Sequence, residues 1–230
     1  MSSIEDLNIA FVGNDWFRKG GIVILRVAQI AKRIGLPIEI HLVSHQSHGY
    51  WSIHPNKKRY ASDLKLLELD NVKFYGGIPN PQVIDLLEKV DFQVLASLAD
   101  HSAYSILEGF SVGTPAIATN VGAIPEYNLN GKAGKKTGYL LDLPLAPNRQ
   151  WKEIDYPNKN SDEYWQMLDS VYTKLAQKVI EILGNFWGNL NRRERYKQLS
   201  SGAISQLKKH HDSDKIDRQL DTLYSSCLCP

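Results

Sequence analysis

The sequence predicts an α/β fold: a doubly wound, mainly parallel sheet over residues 1–143, a loop over 144–161 and a helical extension over 162–230. Three observations carry that expectation. Short apolar runs ending on glycine or other small residues alternate with segments whose apolar residues recur at helical spacing. Strands alternating with helices imply right-handed crossovers and hence parallel pairing. Near Pro144 the pattern changes, and the chain beyond the following loop reads as helical only. Composition agrees with a globular chain. Of 230 residues, 43% are hydrophobic and 23% charged, and 27 Lys and Arg face 25 Asp and Glu, a formal charge of +2. That balance excludes a disordered chain and gives no field strong enough to coat nucleic acid.

Each element has its own signal. Residues 8–13 form an apolar run closed by Gly13 and read as the first strand. After a polar loop, Gly20 and Gly21 lead into a helix with the stripe Ile22, Leu25, Ile30 and Ile34. Gly35 suits a left-handed helix stop, and Pro37 forbids continuation. Ile38 to Val43 alternates as a second strand. Residues 45–60 lack a period and read as loop, and Leu64 to Leu69 as a short helical piece. Val72 to Tyr75 is a third strand. Asn80 and Pro81 open a helix, with Asn80 as N-cap, Pro81 at the first helical position and Val83, Leu86 and Leu87 inward. Phe92 to Ala96, Ala116 to Thr119 and Gly138 to Leu141 complete the strands, with a helix over 104–112 stopped by Gly113 and Pro115. In the extension, Val171, Leu175, Val179, Ile182, Leu183, Phe186 and Trp187 make a wide apolar stripe over 162–190. Residues 191–224 read as one or two basic helices.

The only cysteines, Cys227 and Cys229, lie at the end of the sequence and cannot staple a core. They point to a reducing, cytoplasmic setting. Cys227-Leu228-Cys229-Pro230 has the outline of a prenylation box, with an unusual final Pro. No secretory leader is read at Met1 to Asp6, and no apolar run has the length of a membrane span.

In parallel sheets ligands bind beyond the carboxyl ends of the strands, and the candidate chemistry falls there. Gly13 to Gly21 joins a strand to a helix through Arg18 and Lys19. Backbone N–H groups of a glycine loop approach phosphate closely, the helix adds its positive end, and the two cations suit a diphosphate. The spacing matches neither the dinucleotide-binding nor the P-loop pattern. On these residues alone, a glycine loop with two solvated cations is an equally good reading. Asp100 and Glu108 flank the start of the next helix, which places the unpaired N–H groups near Ala103 between them. Asp100 would face a reacting sugar and Glu108 would accept from sugar hydroxyls, although isolated acids of this kind are more often a loop cap and a solvated helical acid. Gly113-Thr114-Pro115 reads as a structural turn, and Glu126 as a helix cap. Of seven histidines, only His101 stands in a candidate site, and no zinc-helix or hydrolase-elbow spacing occurs.

In order, these pieces resemble the C-terminal, nucleotide-sugar-binding domain of retaining glycosyltransferases with the GT-B fold, the glycosyl transferases group 1 family. The resemblance rests on Phe11-Val12-Gly13 with Arg18-Lys19-Gly20-Gly21 and on Phe74-Tyr75-Gly76. It continues through Asp100 with Glu108-Gly109 to Gly113-Thr114-Pro115, Gly122-Ala123-Ile124-Pro125-Glu126 and Gly138-Tyr139-Leu140-Leu141. It implies a single Rossmann-like domain and a set of roles. Gly13, Arg18, Lys19, Ala103, Tyr104 and Ser105 would bind the donor diphosphate, and Glu108 the ribose. Val43, Ser44, Gly77 and Ile78 would frame the base. Asp100 would be catalytic, and His101 would face the sugar. It implies a nucleotide-diphosphate sugar as substrate, a hexosyl group transferred to a glycan or lipid-linked acceptor, and no metal or other cofactor. It also implies an N-terminal acceptor-binding polypeptide, without which this half would be inactive. Two departures stand out: Asp100 replaces the usual Glu, and Asn14 stands where many members carry Arg. The alternative is an inactive scaffold or partner subunit, docking through the stripe from Val171 to Trp187. The basic residues Arg192, Arg193, Arg195, Lys197, Lys208 and Lys209 offer a peripheral contact with the inner membrane face.

Overall fold

The computed structural model describes residues 6–47, 53–129 and 136–228. Six parallel strands form one sheet: β1 (Leu7–Val12), β2 (Ile38–Val43), β3 (Val72–Gly76), β4 (Phe92–Leu95), β5 (Ala116–Thr119) and β6 (Gly138–Leu141). Their order is β3-β2-β1-β4-β5-β6. The chain reverses direction across the sheet between β1 and β4, and that switch point opens the crevice in which such sheets bind ligands. The expected strands all form: the inner ones are mostly buried runs, and β3, read from its β-favouring residues, pairs as an exposed edge.

β1 and β2 pair from Leu7 opposite Ile38 to Val12 opposite Val43. Alternation along β1 sends Leu7, Ile9 and Phe11 into the main core and Ala10 into a second cluster with Val83 and Leu87 of α3 (Asn80–Leu87). Both faces are therefore covered. On the main face lie α1 (Gly21–Ile34) and the long α6 (Asp162–Trp187), which pack against each other. β3 is the exposed edge, with Lys73 of β3 paired to Glu39 of β2. Between β2 and β3 lies α2 (Ala61–Leu64), flanked by single 3-10 turns at Lys57–Tyr60 and Lys65–Glu68.

Several expectations need correction. Ile34, assigned to the inner stripe of α1, is 56% exposed, because the helix ends there; Gly35 takes φ 70° and its N–H closes onto the Ala31 and Lys32 carbonyls. Asn80 is not the N-cap of α3: Pro79 is, and Asn80 is the first helical residue, its side chain free to reach Glu108. The α6 stripe is not a docking surface. Leu175, Val179, Leu183 and Phe186 are buried in the chain's own core, with Val171, Ile182 and Trp187 packed against it. Ser161 caps α6 by accepting the Tyr164 N–H at 3.1 Å, and the Tyr172 hydroxyl donates to the Phe17 carbonyl.

α4 (Tyr104–Ser111) follows β4, α5 (Ile124–Tyr127) follows β5, and α7 (Arg192–His210) lies against α4 through Leu199 and Ala203. α8 (Ser213–Leu228) runs beyond it. Among the described residues no helix is long and apolar enough to cross a membrane.

Candidate functional site

A cleft of about 580 Å³ opens over the carboxyl ends of β1, β2 and β4. The loop from Gly13 to Gly20 forms one side. It is pinned at both ends: the Gly13 N–H donates to the Val43 carbonyl, and the Leu98 N–H donates to the Arg18 carbonyl. Gly20 takes φ 92°, and a Cβ there would lie 2.6 Å from the Ala96 carbonyl oxygen, so this turn needs glycine. Because the Gly13 N–H is spent on the sheet, Gly13 offers no amide to a phosphate. Its contribution is space, since a Cβ there would press on the Lys19 side chain at 2.9 Å.

The two cations are already engaged. Arg18 donates through Nε to Asp15 Oδ2 at 2.6 Å and through Nη1 to the Ala99 carbonyl. Lys19 Nζ lies 3.2 Å from Asp100 Oδ2. Asp100 is 7% exposed, its Oδ1 accepts the Ala103 N–H at 3.0 Å, and Ser97 Oγ stands 3.4 Å from Oδ2. Both oxygens of this carboxylate are thus held by the protein. Such a group orients Lys19 and the start of α4 and is badly placed to take a proton from a ligand. The two cations and two acids placed around the cleft are therefore joined to neighbours: Arg18 to Asp15, Lys19 to Asp100 and Glu108 to Asn80.

Ala103 takes φ 44° and ψ 54°, a left-handed turn that starts α4. Its N–H belongs to Asp100, which leaves the Tyr104 and Ser105 N–H groups as the free first-turn donors. Ser105 Oγ is buried and has no hydrogen-bond partner. The helix end, this hydroxyl and Lys19 line the same cleft, an arrangement complementary to an anion with several acceptor oxygens.

Glu108, one turn further along α4, accepts from Asn80 Nδ2 at 2.7 Å. Val43, Gly77 and Ile78 line the far end of the cleft, but Ser44 does not: it is fully buried, and its Oγ accepts the Gln46 N–H at 3.0 Å. His45 occupies the rim instead, its ring packed against Gly77 so closely that a Cβ there would collide with it. His101 is exposed on the lip beside Asp100.

Glu126 does not cap α5. It pairs with Arg149 at 2.7 Å. The Gly122 turn before it serves the cleft from behind, because the Ala123 N–H donates to the His101 carbonyl. The turn at Gly113 to Pro115 is structural, as read: the Thr114 hydroxyl donates to the Leu87 carbonyl.

The sequence model of a family described as glycosyl transferases group 1 matches residues 5–168. The chain belongs to that family. Solved structures agree on the fold. The chain is similar to a glycosyltransferase from Rickettsia africae, at 18% identity and a TM-score of 0.64, over 99% of this chain and 49% of that one. It is similar to sucrose-phosphate synthase from Thermosynechococcus elongatus, at 17% identity and a TM-score of 0.59, over 97% of this chain and 46% of that one. A third likeness is the C-terminal domain of a glycosyl transferase group 1 family protein from Francisella tularensis, at 16% identity and a TM-score of 0.58, over 90% and 87%. The chain thus spans about half the length of the first two and nearly all of an isolated C-terminal domain. Comparison with curated protein sequences gives no match.

The family match spans the entire cleft and stops near the start of α6. Four residues that shape the site of this glycosyltransferase domain are given no role there by the sequence reading. Asp15 holds Arg18, and its position three residues earlier was a usable signal. Asn80 holds Glu108 but reads as a cap, a role that uses the same amide. His45 sits in a stretch without period. Gln150 lies 50 residues from Asp100, yet its Oε1 accepts the Asp100 N–H at 2.8 Å and its Nε2 donates to the Asp100 carbonyl at 3.1 Å. Nothing in the spacing announces that clamp.

Proposed function

We propose that this domain binds a nucleoside diphosphate sugar and is the donor-binding half of a retaining glycosyltransferase that passes a hexosyl group to a glycan or lipid-linked acceptor. The observation that carries this reading is the convergence of Lys19, Arg18, the free N–H groups of α4, Ser105 Oγ and Glu108 on one cleft. The diphosphate lies over the start of α4, with Lys19 and Arg18 beside it. The ribose hydroxyls donate to Glu108, which Asn80 holds in place. The base lies among Val43, His45, Gly77 and Ile78.

In the transfer step the bond from the anomeric carbon to the phosphate oxygen breaks, and a bond to the acceptor hydroxyl oxygen forms on the same face. The hydroxyl proton passes to the departing phosphate. Negative charge grows on the diphosphate, and Lys19, Arg18 and the helix end stabilise it without reorganising. Asp100 acts at one remove, through Lys19 and the Ala103 N–H, while His101 faces the sugar. The reading assigns no metal to the leaving group. Its acceptor side belongs to a second domain or polypeptide, consistent with relatives twice this length.

Titration calorimetry with UDP, GDP, ADP and their hexose conjugates tests the reading. Binding of at least one base in the micromolar to millimolar range is expected. Arg18→Ala and Glu108→Ala should each weaken it about tenfold or more, as loss of a charge-assisted hydrogen bond does. Silence from the whole panel at millimolar concentration overturns the reading.

A further inference from the structure

Residues 144–152, which read in sequence as plain loop, fold back on themselves as a strap. Leu145 and Trp151 form an antiparallel bridge, and the Lys152 N–H donates to the Pro144 carbonyl. Arg149 takes φ 63°, and its N–H closes the turn onto the Ala146 carbonyl. The strap is tied to the loops after β4 and β5. The Trp151 N–H donates to the Leu98 carbonyl at 2.8 Å, and the Arg149 carbonyl accepts the Gly122 N–H at 2.9 Å. The Gln150 side chain takes both the N–H and the carbonyl of Asp100, at 2.8 and 3.1 Å. The other edge of the β4 loop is tied to Arg18: the Leu98 N–H donates to its carbonyl, and its Nη1 donates to the Ala99 carbonyl. Leu98 to Asp100 are therefore bonded along both edges, as a central strand is.

Gln150 is 8% exposed and lies outside the set of residues that line the diphosphate cleft. All its polar groups are spent inside the protein. Its N–H donates to Asn148 Oδ1 at 3.1 Å, its carbonyl accepts the Ala146 N–H at 2.9 Å, and its amide is given to Asp100. An amide carries one acceptor and one donor side in a single plane, the complement of a residue's own N–H and carbonyl. Asp100 is itself 7% exposed, so these two backbone groups need partners from the protein. Without Gln150 the loop must shift to find others. The Asp100 carboxylate shifts with it, and that carboxylate holds Lys19 through Oδ2 and the Ala103 N–H through Oδ1. A cation and a helix start aimed at one anion lose effect when they are misplaced. We propose that Gln150 is a positioning residue of the diphosphate site: it fixes the Asp100 backbone and, through the Asp100 carboxylate, the places of Lys19 and the first turn of α4. The proposal rests on the donor-binding reading above.

Two variants of the full chain test it. Gln150→Leu removes both hydrogen bonds at similar volume. Gln150→Glu makes them switchable. An ionised carboxylate still accepts from the Asp100 N–H but has no proton for the Asp100 carbonyl, whereas the neutral acid accepts with one oxygen and donates with the other, as the amide does. Burial and the facing carbonyl favour the neutral form, so the switch falls between about pH 8 and 5. Calorimetry with UDP, GDP and ADP gives the affinity at both pH values, below the melting temperature. Each variant is compared with the unaltered chain at the same pH, so that titration of the diphosphate itself cancels. Gln150→Leu should bind about tenfold more weakly at both values, and Gln150→Glu about tenfold more weakly at pH 8 but within about twofold at pH 5. A strap that only stabilises the fold lowers the melting temperature of the variants and leaves their affinities near that of the unaltered chain, which overturns the proposal. A loss in Gln150→Glu that does not recover at pH 5 overturns it as well. If Gln150→Leu does not fold, the pH response of Gln150→Glu decides alone. Failure of the unaltered chain to bind any diphosphate overturns the donor reading together with this one; normal binding with unresponsive variants overturns this one alone.

Discussion

Gly122 takes φ 53°, and a Cβ there would collide with the Asp100 carbonyl oxygen. Alanine at this position faces two costs, a left-handed backbone of about 1–2 kcal/mol and displacement of the loop that carries Asp100 and His101. Gly122→Ala should therefore lower the melting temperature and weaken diphosphate binding together; a variant that melts and binds like the original chain would refute this packing. At His41 the prediction concerns protons. Burial lowers its pKa below the ordinary imidazole value, although Glu39 lies 3.1 Å from Nε2. Glu39 cannot reverse that effect, because Lys73 Nζ shares its carboxylate at 2.7 Å. Below about pH 6.5 the unfolded chain then binds more protons than the folded one, and stability falls as pH drops. Thermal melts from about pH 7.5 to 5.5 should show this decline, and His41→Gln should lessen it, leaving the share of His54, whose pKa burial also lowers.

At the scale of elements, strands were the most legible part of the chain. The central strands are mostly apolar because both faces are covered, with single polar residues such as Asn8 and Gln93 that find partners inside. The helix ends were less legible. Asn80 beside Pro81 has the composition of a cap, but the chain begins the helix at Asn80 and spends the amide on Glu108, a partner 28 residues away. The cleft was legible residue by residue and not in its wiring: Arg18, Lys19, Asp100 and Glu108 converge as read, whereas their pairing depends on distances that spacing does not encode. The joint between α1 and α6 was also invisible in sequence. Arg26 donates to both oxygens of Asp63, at 2.7 and 2.9 Å, to Asp169 Oδ1 at 2.6 Å and to Thr173 Oγ1 at 2.8 Å. Asp63 is 6% exposed, and removing its partner strands a buried charge. Arg26→Met should cost about 3 kcal/mol in chemical denaturation, and adding Asp63→Leu should recover much of that loss. If the single variant is as stable as the original chain, α6 is held to α1 by apolar packing alone.

At the scale of the molecule, the sheet, α1, α4, α6 and α7 share one core, and α8 stands apart from it. The described side chains of α8 from Ile216 to Ser226 are all exposed, including the large apolar residues Ile216, Leu220, Leu223 and Tyr224. A helix whose described side chains from Ile216 to Ser226 are all exposed contributes little to folding, because most helical stability comes from packing one face against the rest of the protein. α7 differs: Leu199 and Ala203 are fully buried, and a Cβ on Gly202 would collide with the Lys136 carbonyl, so this helix is fitted closely to the domain. The two helices should therefore respond oppositely to truncation. Ending the chain after Asp212 should change stability by less than about 0.5 kcal/mol and leave diphosphate affinity as it was, since every residue that lines the cleft, and the Gln150 clamp behind Asp100, precedes the cut. Ending it before Arg192 uncovers α4, the helix whose first turn carries the proposed anion site, and should lower the melting temperature and the affinity in one step. Denaturation and calorimetry on the two truncations decide the point: a large loss from the first would mean that α8 packs onto the domain in solution.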